Sequence, residues 1–241
     1  GQETMRGKSE LVKKNVANQT SSGLDRDYIT QWSYGIDETW TLMIPDAKGG
    51  ASVPLAQNQQ AMEKADPNFV QIYQQLGQYW GNQPGTSGPV YVGAFVCMLF
   101  ILGLFIVKVA SILVIAEFTI PLLAMMALKK IVDEPEILTE KIKYVYASFG
   151  LTAGFCLLFA IMPGVFFPDF VSVQETQALQ QLPQEYISPI MSNLTDIRKG
   201  IFTSDCWRSF WIILIGSALL MLFKMKKLGK EYMIAGIAVL C

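Results

Sequence analysis

Asp37 and Glu38, adjacent carboxylates in the stretch SYGIDETW, are the residues of this chain best placed to do chemistry. A carboxylate can act as a general base or hold a divalent cation beside a phosphate. Read structurally, the same pair is a solvated turn or the start of a helix. Trp32, Tyr34 and Trp40 lie around it. Their flat faces suit the apolar side of a hexose, since pockets combine aromatics with a few polar groups. Anchoring at a membrane surface, or packing on a neighbouring helix, is the plainer reading of the same rings. Glu117 sits in the middle of an apolar run, where a charge is costly and faces a cavity or a partner, or stays protonated. A structural hydrogen bond would satisfy it equally. There is no His, which removes the commonest acid–base group and metal ligand. Cys97, Cys156, Cys206 and Cys241 form no CxxC pair and read as small buried hydrophobes. No metal-ligating set emerges.

The elements that would position these residues are set by composition. Of the 241 residues 51% are hydrophobic and 16% charged, where a soluble domain carries about 25% charged residues. Mean hydropathy is +0.33. The net charge of −1 argues against nucleic acid as a partner, because phosphate binding needs a basic surface. The partner implied by composition is a lipid bilayer. Apolar runs occupy 88–107, 111–128, 144–166 and 209–223, and a further one begins at 232. The fold class expected is mainly α, a polytopic membrane protein with helical or irregular extracytoplasmic segments.

Residues 1–87 are polar and carry no span; the first 24 look weakly structured. Asp66 and Pro67 suit a helix start, and Phe69, Ile72, Tyr73 and Leu76 fall on one face after it. Tyr79 and Trp80 precede the first apolar run, where aromatics suit the membrane–water interface. In the polar segment 167–207, Ser172 and Glu175 form a capping-box pattern. Ser188 and Pro189 open a second helix, with Ile190, Leu194 and Ile197 on one face and Gly200 as its stop. Asn18 and Asn193 head glycosylation sequons. Pro121, Pro163 and Gly164 are expected to kink their spans.

Lysines set the orientation. The 129–143 loop holds four and the 224–230 loop another four, so both are expected in the cytoplasm. Segments 1–87 and 167–207 are then extracytoplasmic, 88–166 holds membrane helices, and 208–241 holds a span and the start of another apolar segment. One joint does not fit. Spans over 88–107 and 111–128 would both have to end in the cytoplasm, with no return pass between them. The expectation is that an internal segment is missing at Lys108, with helix on both sides of it, continuous or sharply kinked. The alternative is one helix of about 41 residues, roughly 60 Å long.

Four strings, QWSYGIDETWTLMIPDAKGGAS (31–52), YWGNQPGTSGPVYVGAF (79–95), SILVIAEFTIPLLAMMALKKI (111–131) and LPQEYISPIMSNLTDIRKGIFTSDCWRSF (182–210), resemble the YfhO-type polytopic membrane proteins of Bacteroidetes. That family resembles the GT-C glycosyltransferase superfold. The resemblance implies a multi-pass bacterial inner-membrane protein, a polyprenyl-phosphate sugar as donor and a cell-envelope acceptor. It implies a chain much longer than this one, of which these residues are an internal fragment, inactive by itself. The family's usual catalytic carboxylate lies in a first external loop with no matching position here, so it carries over to no residue. Ser33, Glu38 and Pro45 match a Ser…Glu…Pro pattern of the family. No cofactor is identifiable, and a divalent cation in the full-length protein is left open. The alternatives are a transporter or flippase for a lipid-linked substrate, and a non-catalytic envelope assembly protein.

Overall fold

A computed structural model describes residues 33–83, 88–107, 116–167 and 170–240. Among them the protein is mainly α-helical, without strands; Pro54 and Gly77 make one isolated antiparallel bridge. Trp32 lies outside the described residues, as do residues 1–24 and the Asn18 sequon.

The segment 33–83 is built from short pieces. A 3-10 turn spans Ile36–Leu42, and α1 (Gln59–Met62) and α2 (Val70–Tyr73) follow. Asp66 starts the turn before α2 as its sequence requires: its carboxylate accepts from the Asn68 amide at 2.9 Å, with Pro67 in first position. Pieces this short cannot hold themselves. They are held by burying Leu55, Ala61 and Tyr73 against Leu194, Ile197 and Ile201 of a long helix.

Then come α3 (Ala94–Ile106), α4 (Ala116–Asp133), α5 (Ile137–Glu140), α6 (Ile142–Ile161), α7 (Pro163–Phe166), α8 (Val173–Leu179), α9 (Gln184–Lys224) and α10 (Lys230–Leu240). The helix α8 opens on the expected capping box. Ser172 Oγ accepts from the Glu175 amide at 3.2 Å, and Glu175 returns a carboxylate to the Ser172 amide at 2.9 Å.

Several expectations need correction. Gly200 does not stop a helix: α9 runs unbroken for 41 residues, about 60 Å. One glycine costs only about 1 kcal/mol in a helix, and the tertiary contacts of this face outweigh that. The apolar run from Gly88 becomes helical only at Ala94, because Gly93 sits at φ +120° and the Val92 and Gly93 amides are turned onto the Leu42 carbonyl. That leaves α3 with 13 residues, short of the roughly 20 that cross a bilayer core. The joint expected at Lys108 lies outside the described residues, and the helices on either side of it, α3 and α4, pack against each other. α3 ends at Ile106 with Val107 extended, and a Cβ built on Gly103 would lie 2.8 Å from Leu123 Cγ. In one straight helix residues 20 apart would be about 30 Å from each other. Pro163 ends α6 rather than kinking it, since the chain breaks at Met162 and Pro163 begins a new turn.

Among the described residues two helices, α6 and α9, are long and apolar enough to cross a membrane. Their buried faces mix small or hydroxylic residues, Ser148, Thr152, Ala153 and Cys156 on α6 and Cys206, Ser209, Gly216 and Ser217 on α9, with larger apolar ones such as Val145, Phe159, Ile213 and Leu220. Ser148 and Thr152 hydroxyls donate back to the carbonyls of Tyr144 and Ser148, both at 2.8 Å, so neither hydroxyl is left open. Large apolar side chains point outward: Leu151, Leu158 and Ile161 on α6, and Trp207, Trp211, Ile215 and Leu222 on α9. Only 39% and 28% of the most apolar windows are buried, whereas a soluble core helix would be mostly buried.

Candidate functional site

Of the side chains anticipated from sequence, Asp37 and Glu38 lie in a polar knot within segment 33–83. It starts at the 3-10 turn Ile36–Leu42. Gly35, in the N-cap position, has no side chain to satisfy the first amides, so Glu38 reaches back. Its Oε1 accepts from the Gly35 amide at 3.0 Å and the Asn82 amide at 2.8 Å, and its Oε2 from the Tyr79 hydroxyl at 2.6 Å. Glu38 is fully buried. Burial and the bond to Glu38 hold the Tyr79 hydroxyl far above the usual tyrosine range. The geometry gives Glu38 the work of a cap that ties residues 35, 79 and 82 together.

Asp37 pairs instead with Lys48, Oδ2 to Nζ at 2.6 Å, and its side chain is 42% exposed. Lys48 is buried, with Nζ 4.0 Å from the centre of the Trp80 ring. Trp80 and Tyr79 are therefore not interfacial anchors: Trp80 is buried against Phe170, and Tyr79 is committed to Glu38. Lys48 is aimed by two glycines in left-handed conformations, Gly49 at φ +86° and Gly50 at φ +62°. A side chain on Gly49 would collide with the Gln78 carbonyl. Gln78 closes the loop by donating from Nε2 to the Gly49 carbonyl at 2.8 Å and to Asp46 Oδ1 at 3.3 Å.

Of the anticipated aromatics, Trp40 is half-buried, its ring 5.0 Å from Phe155 and 4.8 Å from Phe159 of α6. It joins the 3-10 turn to α6. Tyr34 is half exposed. Glu117 lies in the first turn of α4, well away in sequence from the knot.

A divalent cation does not fit between Asp37 and Glu38. The Lys48 ammonium already neutralises Asp37, both Glu38 oxygens accept hydrogen bonds, and the described residues assemble no group of three ligand-type side chains.

Sequence reasoning missed two further centres. Arg198, buried in α9, grips Glu175 with both terminal nitrogens at 2.9 and 2.6 Å. The same nitrogens donate to the carbonyls of Phe170 and Gly77, each at 2.8 Å. One guanidinium thus fixes α8, the 170 segment and the Gly77 corner to α9. The second centre pairs Asp46 with Asp205 of α9. Burial, then hydrogen bonding to Asp46 and its charge, push the Asp205 carboxyl up to about 8, against the opposing pull of Arg208. Both centres had a signal. Arg198 and Asp205 fall on the stripe of Leu194, Ile201 and Ser209, where helical spacing calls for buried residues.

Asn193, the asparagine of the second sequon, is engaged through both ends of its amide. Its Oδ1 accepts from the Asp66 amide at 3.0 Å and the Tyr73 hydroxyl at 2.6 Å, and its Nδ2 donates to the Lys64 carbonyl at 3.0 Å.

No protein-family model, curated protein or solved structure matches this chain.

Proposed function

We propose that the chain belongs to an integral membrane protein in which α6 and the C-terminal part of α9, from about Ser209 to Phe223, cross the bilayer. Segment 33–83 and the N-terminal part of α9 form an extracytoplasmic body seated on those helices. The observation that carries this is that large apolar side chains of α6 and α9 point outward, while small and hydroxylic ones sit among their buried residues. Lipid offers no hydrophobic drive between helices, so membrane helices pack through small residues while bulky ones meet the acyl chains. Trp207 and Trp211 at one end, and Lys224, Lys226 and Lys227 at the other, suit the two surfaces of such a span. The resemblance of the four strings adds the expectation that this is a multi-pass protein of a bacterial inner membrane.

The finer reading, transfer of a sugar from a polyprenyl-phosphate donor to an envelope acceptor by a longer GT-C-like protein, is supported by the resemblance of the four strings. Within that reading Asp37 is the better acid–base candidate, since its carboxylate is part exposed while Glu38 is a buried cap. The test is sugar transfer in vitro by the longer protein and its Asp37→Asn variant, with cysteine-accessibility mapping for topology. The expected results are turnover lost in the variant with expression kept, and residues 33–83 accessible from outside. Unchanged turnover removes Asp37. No transfer by the unsubstituted longer protein removes the glycosyltransferase reading.

A further inference from the structure

We propose that Asp205 keeps a proton that it donates to Asp46 across the seam between the body and α9, and that its loss loosens the seam, so that the body's seating on the membrane helix responds to pH. The seam is drawn tight on either side of this pair. One turn along α9, Ser209 Oγ donates to the Met43 carbonyl at 2.9 Å in a buried bond. On the loop side, Gln78 donates to Asp46 Oδ1 and to the Gly49 carbonyl. Between these fixed points the two carboxyl groups are within hydrogen-bonding reach. Asp205 Oδ2 is buried and finds no donor there. A bare carboxylate oxygen in that position is costly, but an O–H on Asp205 that donates to the Asp46 carboxylate satisfies both.

Arg208 pulls the other way, more weakly than burial and Asp46 push. Lys48, two residues from Asp46, is held by Asp37 at 2.6 Å and lies over Trp80. Arg208, on the same helix as Asp205, is exposed to solvent, which screens its charge. Cys206 beside Asp205 is an uncharged buried thiol facing Cys156 of α6. When the Asp205 O–H breaks and its proton passes to water, two carboxylates remain in contact with one acceptor-only surface against another. The loop 42–50 and α9 then repel each other.

The sign follows from linkage. The closed seam binds the proton more tightly than the open one, so it is favoured at low pH. That preference fades as pH rises from the ordinary aspartate range through about 8, the value for Asp205 in the closed seam.

The experiment is limited trypsinolysis of the full chain in detergent, reading cleavage after Lys48 by mass spectrometry at pH 7 and pH 9. Lys48 is 8% exposed, and its carbonyl accepts from the Trp80 amide at 3.0 Å, so cleavage requires the loop to open. Unsubstituted protein and Asp205→Asn are compared at the same pH, so the protease's own pH dependence cancels. The ratio of cleavage rates, unsubstituted over Asp205→Asn, should rise about tenfold from pH 7 to pH 9. Asp46→Asn supplies an independent arm: its apparent melting temperature should lose the fall between pH 6 and pH 9 that the unsubstituted protein shows. A cleavage ratio that stays constant with pH, or an unsubstituted protein whose melting temperature is flat over that range, overturns the proposal.

Discussion

Arg198→Ala should be among the most damaging single substitutions in the body. Arg198 is 2% exposed, and its terminal nitrogens make four hydrogen bonds, two to Glu175 and one each to the carbonyls of Phe170 and Gly77. Alanine leaves Glu175, whose side chain is 14% exposed, without its counter-charge, and both carbonyls without these donors. Removing one partner of a buried ion pair costs about 3–5 kcal/mol, because the survivor keeps its desolvation penalty. At about 2–4 °C per kcal/mol for a chain of this size, the apparent melting temperature should fall by about 6–20 °C. The assay is thermal unfolding in detergent followed by tryptophan fluorescence, with Lys199→Ala, an exposed neighbour, as control. Arg198→Met combined with Glu175→Gln should recover part of the loss, since neither charge is then left buried alone. If Arg198→Ala melts within about 2 °C of the Lys199→Ala control, a difference worth under about 1 kcal/mol, the guanidinium is not holding these segments and the reasoning fails.

Two further outcomes follow from the geometry. Tyr79→Phe removes a 2.6 Å bond to a buried carboxylate and should cost about 1.5–3 kcal/mol, measured as the same thermal shift. Because the Tyr79 hydroxyl is held above its ordinary range, the folded state keeps a proton that the unfolded chain releases near pH 10. Stability should therefore decline as pH rises past about 10, and Tyr79→Phe should lack that component in an alkaline melting series. Gly103→Ala places a Cβ 2.8 Å from Leu123 Cγ and 3.1 Å from the Leu123 carbonyl oxygen, forcing α3 and α4 apart at a cost of about 1–3 kcal/mol. Leu123→Ala should rescue it only in part, since the carbonyl remains; full rescue would mean the contact is side chain alone.

What could be read from the sequence was what depends on local pattern. The cap at Asp66, the capping box of Ser172 and Glu175, and the buried face of Ile190, Leu194 and Ile197 all stand as their spacing implies. These are contacts between residues a few positions apart. Whatever depended on which segment meets which was hidden. Asp37 and Glu38 look equivalent in the string IDETW, yet one faces Lys48 and the other Tyr79, 41 positions away. Tyr79 and Trp80 look like interfacial aromatics until the Gly49 and Gly50 turn brings Lys48 over the indole. Helix α3 was overlong in the sequence reading because hydropathy does not register that the Val92 and Gly93 amides are claimed by Leu42.

The long helix shows why its own sequence misleads. Read locally, Pro189, Gly200 and the charges at Asp196, Arg198, Lys199, Asp205 and Arg208 break the apolar pattern and suggest a short helix followed by a separate span. In the fold, several of these interruptions are the points where other segments attach. At Gly200 the Lys64 side chain, just after α1, lies against the helix. Arg198 holds α8 and Gly77, Asp205 meets Asp46, and Ser209 receives Met43. Between them Ile190, Leu194, Ile197 and Ile201 supply the apolar contact. A helix that only crossed a bilayer would need none of these polar positions on its buried stripe, and a helix that only capped a soluble body would not go on into Ile212, Ile213, Leu214 and Ile215. The 41 residues have to be one element because the body's attachment points and the apolar span lie on the same rod. With the topology proposed above, a change at the seam acts directly on the segment that would enter the membrane.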